Sequence, residues 1–145
     1  NWFLRSYGAF PLKRNAVDVT AHRWSVAHLK SGGALALFPE GTRNPRGMGR
    51  AHAGVARLAL TTKVRLLPVG ITGTERLGSV LRVFNPTGRI RMSIGEPFEL
   101  PPVEGKPDKA EMEAITTMIM RRIAAQLPPE YRGVYSLEDP TWDAH

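Results

Sequence analysis

The chain has 145 residues, 42% of them hydrophobic, enough for one ordinary core and too short for two comfortable domains. It has no cysteine, which excludes a disulfide framework, a thiolate zinc site and a cysteine nucleophile, and no run of the roughly 18 apolar residues that cross a bilayer. The net charge of +7 is one-sided: residues 1–74 hold eleven Lys or Arg against only Asp18 and Glu40, and residues 75–145 hold nine against eleven acids. Such a field attracts phosphorylated small molecules, other polyanions or an anionic membrane surface.

In chain order, Ser6 to Leu12 reads as a short strand ending at Lys13-Arg14. Residues 15–31 have Val17, Ala21, Trp24 and Ala27 or His28 at helical spacing, with Gly32-Gly33 as the stop. The apolar run Ala34 to Phe38 reads as a buried strand and leads into the turn Pro39-Glu40-Gly41-Thr42-Arg43. A second helix is expected from about Ala51 to Thr62, burying Val55, Leu58 and Ala59, then a strand from Arg65 to Ile71 whose Pro68 suits an edge or a bulge. Gly88 to Gly95 alternates like a half-buried strand. The final helix has Asp108 and Glu111 as its cap, Met112, Ile115, Ile119, Ile123 and Leu127 on one face, and Pro128-Pro129 as its end. Its methionines read as core fillers. Residues 129–145 are expected to be a loosely attached tail.

Strand alternating with helix argues for an α/β fold, with a mixed, largely parallel sheet flanked by helices. In such units the residues just past each strand gather along one sheet edge, where ligands bind. Lys13-Arg14, Glu40 to Arg43 and Thr72-Gly73 are expected there, far apart in sequence and close in space. Two guanidiniums at strand ends, Arg14 and Arg43, suit a clamp on one phosphate through paired charge-assisted hydrogen bonds. Lys13 is either a third positive group or simply solvated. Glu40 either positions a substrate or a base, or locks the turn by pairing with Arg43.

The run Phe38-Pro39-Glu40-Gly41-Thr42-Arg43 closely resembles a signature block of the glycerolipid acyltransferases, the PlsC-like family that includes 1-acyl-sn-glycerol-3-phosphate acyltransferases. Gly8 to Arg14 is similar to the block before it, Leu67-Pro68-Val69 to the block after it, and Ala53 to Ala59 to the helix start between them. In that helix start the family often has Lys where this chain has His52. The resemblance covers residues from about 3 to 98. It implies transfer of a fatty acyl group from coenzyme A or acyl carrier protein, as co-substrate and with no cofactor or metal, to the free hydroxyl of a lysophospholipid such as lysophosphatidate. By the same resemblance Arg14, Gly41, Thr42 and Arg43 bind the acceptor and Glu40 has a positioning role; the family more often has an acid or amide where this chain has Lys13, which joins the acceptor site as a third positive group or is simply solvated.

In the family a His-x-x-x-x-Asp pair supplies the general base, the His taking the acceptor's proton and the Asp orienting the ring. Five residues after His22, His28 and His52 stand Ala27, Gly33 and Arg57, so that pair is not in this sequence. The family carries it upstream of the Gly8 block, and the chain, opening at Asn1, reads as an excised piece. Residues 1–128 are then the C-terminal part of an acyltransferase domain, nearly inactive alone, since losing a general base costs roughly 10²–10⁴-fold. Trp2, Phe3 and Leu4 either end a helix that dips into a bilayer or pack on the core. The expected setting is the cytoplasmic face of a membrane, with no nucleic-acid partner. The competing reading is a non-catalytic basic module that binds anionic lipid or nucleic acid through residues 41–74, which hold six basic residues and no acid.

Overall fold

The structure, a computed structural model, describes residues 18–42, 44, 47–74 and 89–136. The chain divides into two compact units, one ending at Leu37 and one beginning at Phe38.

In the first unit α1 (Val19–Lys30) starts at Asp18, whose side chain accepts a hydrogen bond from the Ala21 N–H at 3.0 Å. This satisfies one of the donors that every helix start leaves open. The helix ends as its glycines predict, with the Gly32 and Gly33 N–H groups donating back to Leu29 and His28. Trp24 and His28, one turn apart, stack with ring centroids 5.1 Å apart, and His28 Nε2 donates to the Ala34 carbonyl at 3.1 Å. The segment expected as a buried strand, 34–38, forms none: Leu37 is exposed and Phe38, in the second unit, is 78% exposed. A strand exists only through its neighbour's ladder, and among the described residues no ladder runs along 34–38.

The second unit is organised by α3 (Lys109–Ala124), which begins with a complete capping box: Asp108 accepts from the Glu111 N–H and Glu111 accepts from the Asp108 N–H, each at 2.8 Å. One stretch of α3 buries Ile115 and Ile119 against Ala56 of α2 (Gly54–Thr62). The next stretch, with Met120 and Ala124, joins Met48, Leu127 and Tyr135 in a second apolar cluster. The buried face of α2 is Ala56, Leu58 and Ala59, with Val55 only half-buried. Arg132 Nε donates to the carbonyls of Ala124 and Leu127, closing the C-terminal end of α3.

The described sheet holds no parallel pair; the expected strand 6–12 lies outside the described residues. It has two antiparallel strands, β1 (Val69–Thr72) and β2 (Arg91–Ile94), in the register Val69 to Ile94 and Thr72 to Arg91. The class is mixed α and β, and the described pair is antiparallel; residues 75–88, between the two strands, lie outside the described residues. The pairing extends backwards: Leu66 and Phe98 exchange both backbone hydrogen bonds, and the Pro68 carbonyl accepts from the Gly95 N–H. Gly70 packs on the end of α3, where a Cβ would stand 2.8 Å from the Gln126 carbonyl oxygen. The opposite face leaves Leu67, Ile71, Met92 and Ile94 exposed.

The first part of the expected tail is not loose. Residues 129–136 form two 3₁₀ turns, Pro129–Tyr131 and Gly133–Tyr135, and Tyr135 is 8% exposed. The Tyr131 carbonyl accepts from the Met48 N–H and the Val134 N–H donates to the Met48 carbonyl, so the turns are stitched to the loop before α2. Pro128-Pro129 does stop the helix, but the chain beyond it still has an aromatic ring to bury. Residues 137–145 lie outside the described residues.

Candidate active site

The turn at Pro39–Thr42 is held by bonds within the second unit. The Gly41 N–H donates to the Phe38 carbonyl at 3.0 Å, and Gly41 has φ +65°, a left-handed conformation that side chains disfavour. The His52 N–H donates to the Pro39 carbonyl at 3.0 Å, closing residues 39–52 into a loop. The His52 ring lies against the turn, since a Cβ on Gly41 would come within 3.3 Å of His52 Cδ2.

Glu40 sits inside that loop, half-buried. Its Oε2 accepts from the Gly49 N–H at 2.6 Å and from the Asn44 side-chain amide. Both donors are held: Gly49 follows the buried Met48, and a Cβ on Gly49 would stand 2.6 Å from Asn44 Nδ2, so the amide packs flat on the glycine backbone. One carboxylate oxygen thus ties position 40 to positions 44 and 49 through charge-assisted bonds, the stronger kind. Behind the loop, the Ala51 N–H donates to the Tyr135 hydroxyl at 3.1 Å.

Of the residues expected to form the site, Glu40, Gly41 and Thr42 are contiguous on this turn, with Gly41 and Thr42 exposed. Lys13, Arg14 and Arg43 lie outside the described residues, and with them the proposed phosphate clamp and the Glu40–Arg43 pairing. Thr72, expected at the same rim, pairs with Arg91, and Gly73 packs on the Arg89 carbonyl. Sequence reasoning missed Asn44, Gly49 and the placement of His52. The signal for the first two was present: an amide four residues after a glutamate, followed by glycines at 47 and 49, is the composition of a loop that folds back on itself.

A glutamate locked at the root of a turn, with a left-handed glycine and an exposed threonine at its tip, is a rigid platform presented to solvent. Residues 1–72 match the profile of the family described as Acyltransferase. The chain is similar to the 1-acyl-sn-glycerol-3-phosphate acyltransferase of Streptococcus pneumoniae (strain ATCC BAA-255 / R6), 29% identical over 109 residues that make up 74% of this chain and 39% of that protein. It is also similar to the Bacillus subtilis (strain 168) protein of the same name, 26% identical over 121 residues, 83% of this chain and 58% of the relative. The chain thus spans well under two thirds of the length of either relative. No solved structure matches it. Among the described residues no helix is long and apolar enough to cross a membrane.

Proposed function

We propose that the intact protein transfers a fatty acyl group from a thioester, on coenzyme A or acyl carrier protein, to the free hydroxyl of 1-acyl-sn-glycerol-3-phosphate. The observation that carries this reading is the locked Glu40 turn, in a segment that matches the acyltransferase family. The acceptor hydroxyl oxygen attacks the thioester carbonyl carbon, the new ester C–O bond forms, and the C–S bond breaks. The hydroxyl proton passes to a histidine base supplied from outside this chain and from it to the departing thiolate. Within the chain, Arg43 and Arg14, with Lys13 beside them, hold the acceptor's phosphate, and the Gly41 and Thr42 backbone lines the approach. Glu40 is a positioning residue: it fixes the turn that Arg43 follows in the sequence. Acceptor and product are lipids, so the reaction runs at a membrane surface, and we assign it to the cytoplasmic face.

In the intact protein, Glu40→Ala is expected to abolish acyl transfer. Arg43→Lys is expected to raise KM for lysophosphatidate well above any change in KM for the thioester, because a single ammonium cannot reproduce a forked contact. Absence of acyl transfer in the intact wild-type protein, with lipid binding unchanged in Glu40→Ala, would leave the basic binding module as the better reading; full transfer in Glu40→Ala would remove the positioning role of Glu40.

A further inference from the structure

The peptide unit that joins Met48 to Gly49 is bonded at both of its polar ends. Its N–H, that of Gly49, donates to Glu40 Oε2 at 2.6 Å. Its carbonyl, that of Met48, accepts from the Val134 N–H at 3.1 Å. A peptide unit is planar and rigid, so its two ends cannot be turned separately. Whatever fixes the carbonyl also aims the N–H at the carboxylate. A bonded carbonyl polarises the N–H of its own unit as well, so each bond strengthens the other.

Residues 131–135 are fitted to this place. The Met48 N–H donates to the Tyr131 carbonyl at 2.9 Å, so both backbone groups of Met48 are committed to the same segment. Gly133 lies directly on Met48: it has φ +53°, and a Cβ there would overlap the Met48 carbonyl oxygen. From the other side, a Cβ on Gly47 would stand 3.1 Å from the Gly133 nitrogen. The two backbones meet where neither has room for a side chain. Arg132 ties the segment to the end of α3 through the Ala124 and Leu127 carbonyls. Burial of the Tyr135 ring alone does not require this, because apolar contact is non-directional. Matched backbone bonds set a position.

We infer that residues 131–135 are a positioning element of the active site: through the Met48–Gly49 peptide they aim the donor that holds Glu40, and acyl transfer depends on them. The inference rests on the acyl-transfer reading and adds that the site turn is not self-sufficient. The segment acts through Glu40, so use of the acceptor depends on it and KM for the thioester does not.

The test is steady-state acyl transfer by the intact protein, together with amide hydrogen exchange. Gly133→Ala forces the segment off Met48. Val134→Pro, at an exposed position, removes only the N–H that the Met48 carbonyl accepts and serves where the first variant unfolds. Gly105→Ala is the control, with φ +73° and nothing within 4 Å of its added Cβ. Both segment variants should lower kcat/KM for lysophosphatidate by about ten- to a hundredfold, the effect of a misplacement near 1 Å, with KM for the thioester unchanged. Exchange at Gly49 should quicken relative to that at Ile119, a buried position of α3 that reports global opening. Gly105→Ala should change none of these. In a Glu40→Gln background, which keeps an accepting oxygen, Gly133→Ala should cost less than about twofold more, because the two changes act on one bond. Unchanged kcat/KM for lysophosphatidate in both segment variants beside an active wild type would overturn this inference alone. So would full additivity with Glu40→Gln, or exchange at Gly49 that keeps pace with Ile119. Absence of transfer in the intact wild type would overturn the acyl-transfer reading and take this inference with it.

Discussion

The Ala51 N–H donates to the Tyr135 hydroxyl at 3.1 Å, across 84 positions of sequence. Through this bond the chain beyond α3 supports the loop that carries Glu40, because Ala51 lies two residues past Gly49, the backbone donor to that carboxylate. The same ring fills the cluster of Met48, Met120, Ala124 and Leu127.

Tyr135→Phe keeps the ring and removes the acceptor, leaving a half-buried N–H unpaired, so a loss of about 1 kcal/mol is expected. Tyr135→Ala also empties the cluster and should cost about 3–5 kcal/mol, as for other buried aromatic truncations. Urea unfolding followed by circular dichroism reads both. An equal loss in the two variants would show that the hydroxyl, not the packing, dominates.

Glu40→Ala leaves the Gly49 N–H and the Asn44 amide without their acceptor, and about 1–3 kcal/mol is expected for that half-buried carboxylate. Asn44→Ala removes one of the two bonds and should cost less. Because the two residues share a bond, the double variant should lose less than the two single losses together. Amide hydrogen exchange at Gly49 gives an independent readout: it should quicken in Glu40→Ala and stay slow in Thr42→Ala.

Gly41→Ala imposes about 1–2 kcal/mol of left-handed strain and also presses a methyl group towards the His52 ring, 3.3 Å away. Gly105, with φ +73° and nothing within 4 Å of its added Cβ, is the matched control. Gly105→Ala should show the strain alone in thermal unfolding. Gly41→Ala should exceed it and shift the His52 ring resonances.

Lys63 ends α2 in a left-handed conformation, φ 54°. Lys63→Gly should therefore stabilise the protein by about 0.5–1 kcal/mol, the relief of strain minus the added freedom of the unfolded chain. Its side chain is exposed and has no described partner, so the gain is read directly as a higher denaturation midpoint at constant m-value. No gain would mean that the cap tolerates lysine without strain.

Sequence alone was sufficient where the determinant is local. Asp108 and Glu111 cap α3 as a pattern of four adjacent positions can, Gly32-Gly33 stop α1, and the Phe38 to Arg43 block carries the resemblance to the acyltransferases. Tertiary structure decided what depends on a distant partner. An apolar run such as 34–38 has the composition of a strand, but hydrogen bonds from another segment make one, and composition does not name that segment. The direction of the Val69–Thr72 strand was hidden for the same reason: its partner begins at Arg91, and alternation of elements says nothing of which edge a later strand takes. Glu40 was legible as a site residue, while its anchoring by Asn44 and Gly49 depended on a loop closing in space. Tyr135 lies beyond two prolines that promise an end, and only its packing in the apolar cluster with Met48 and Met120 explains why the chain returns.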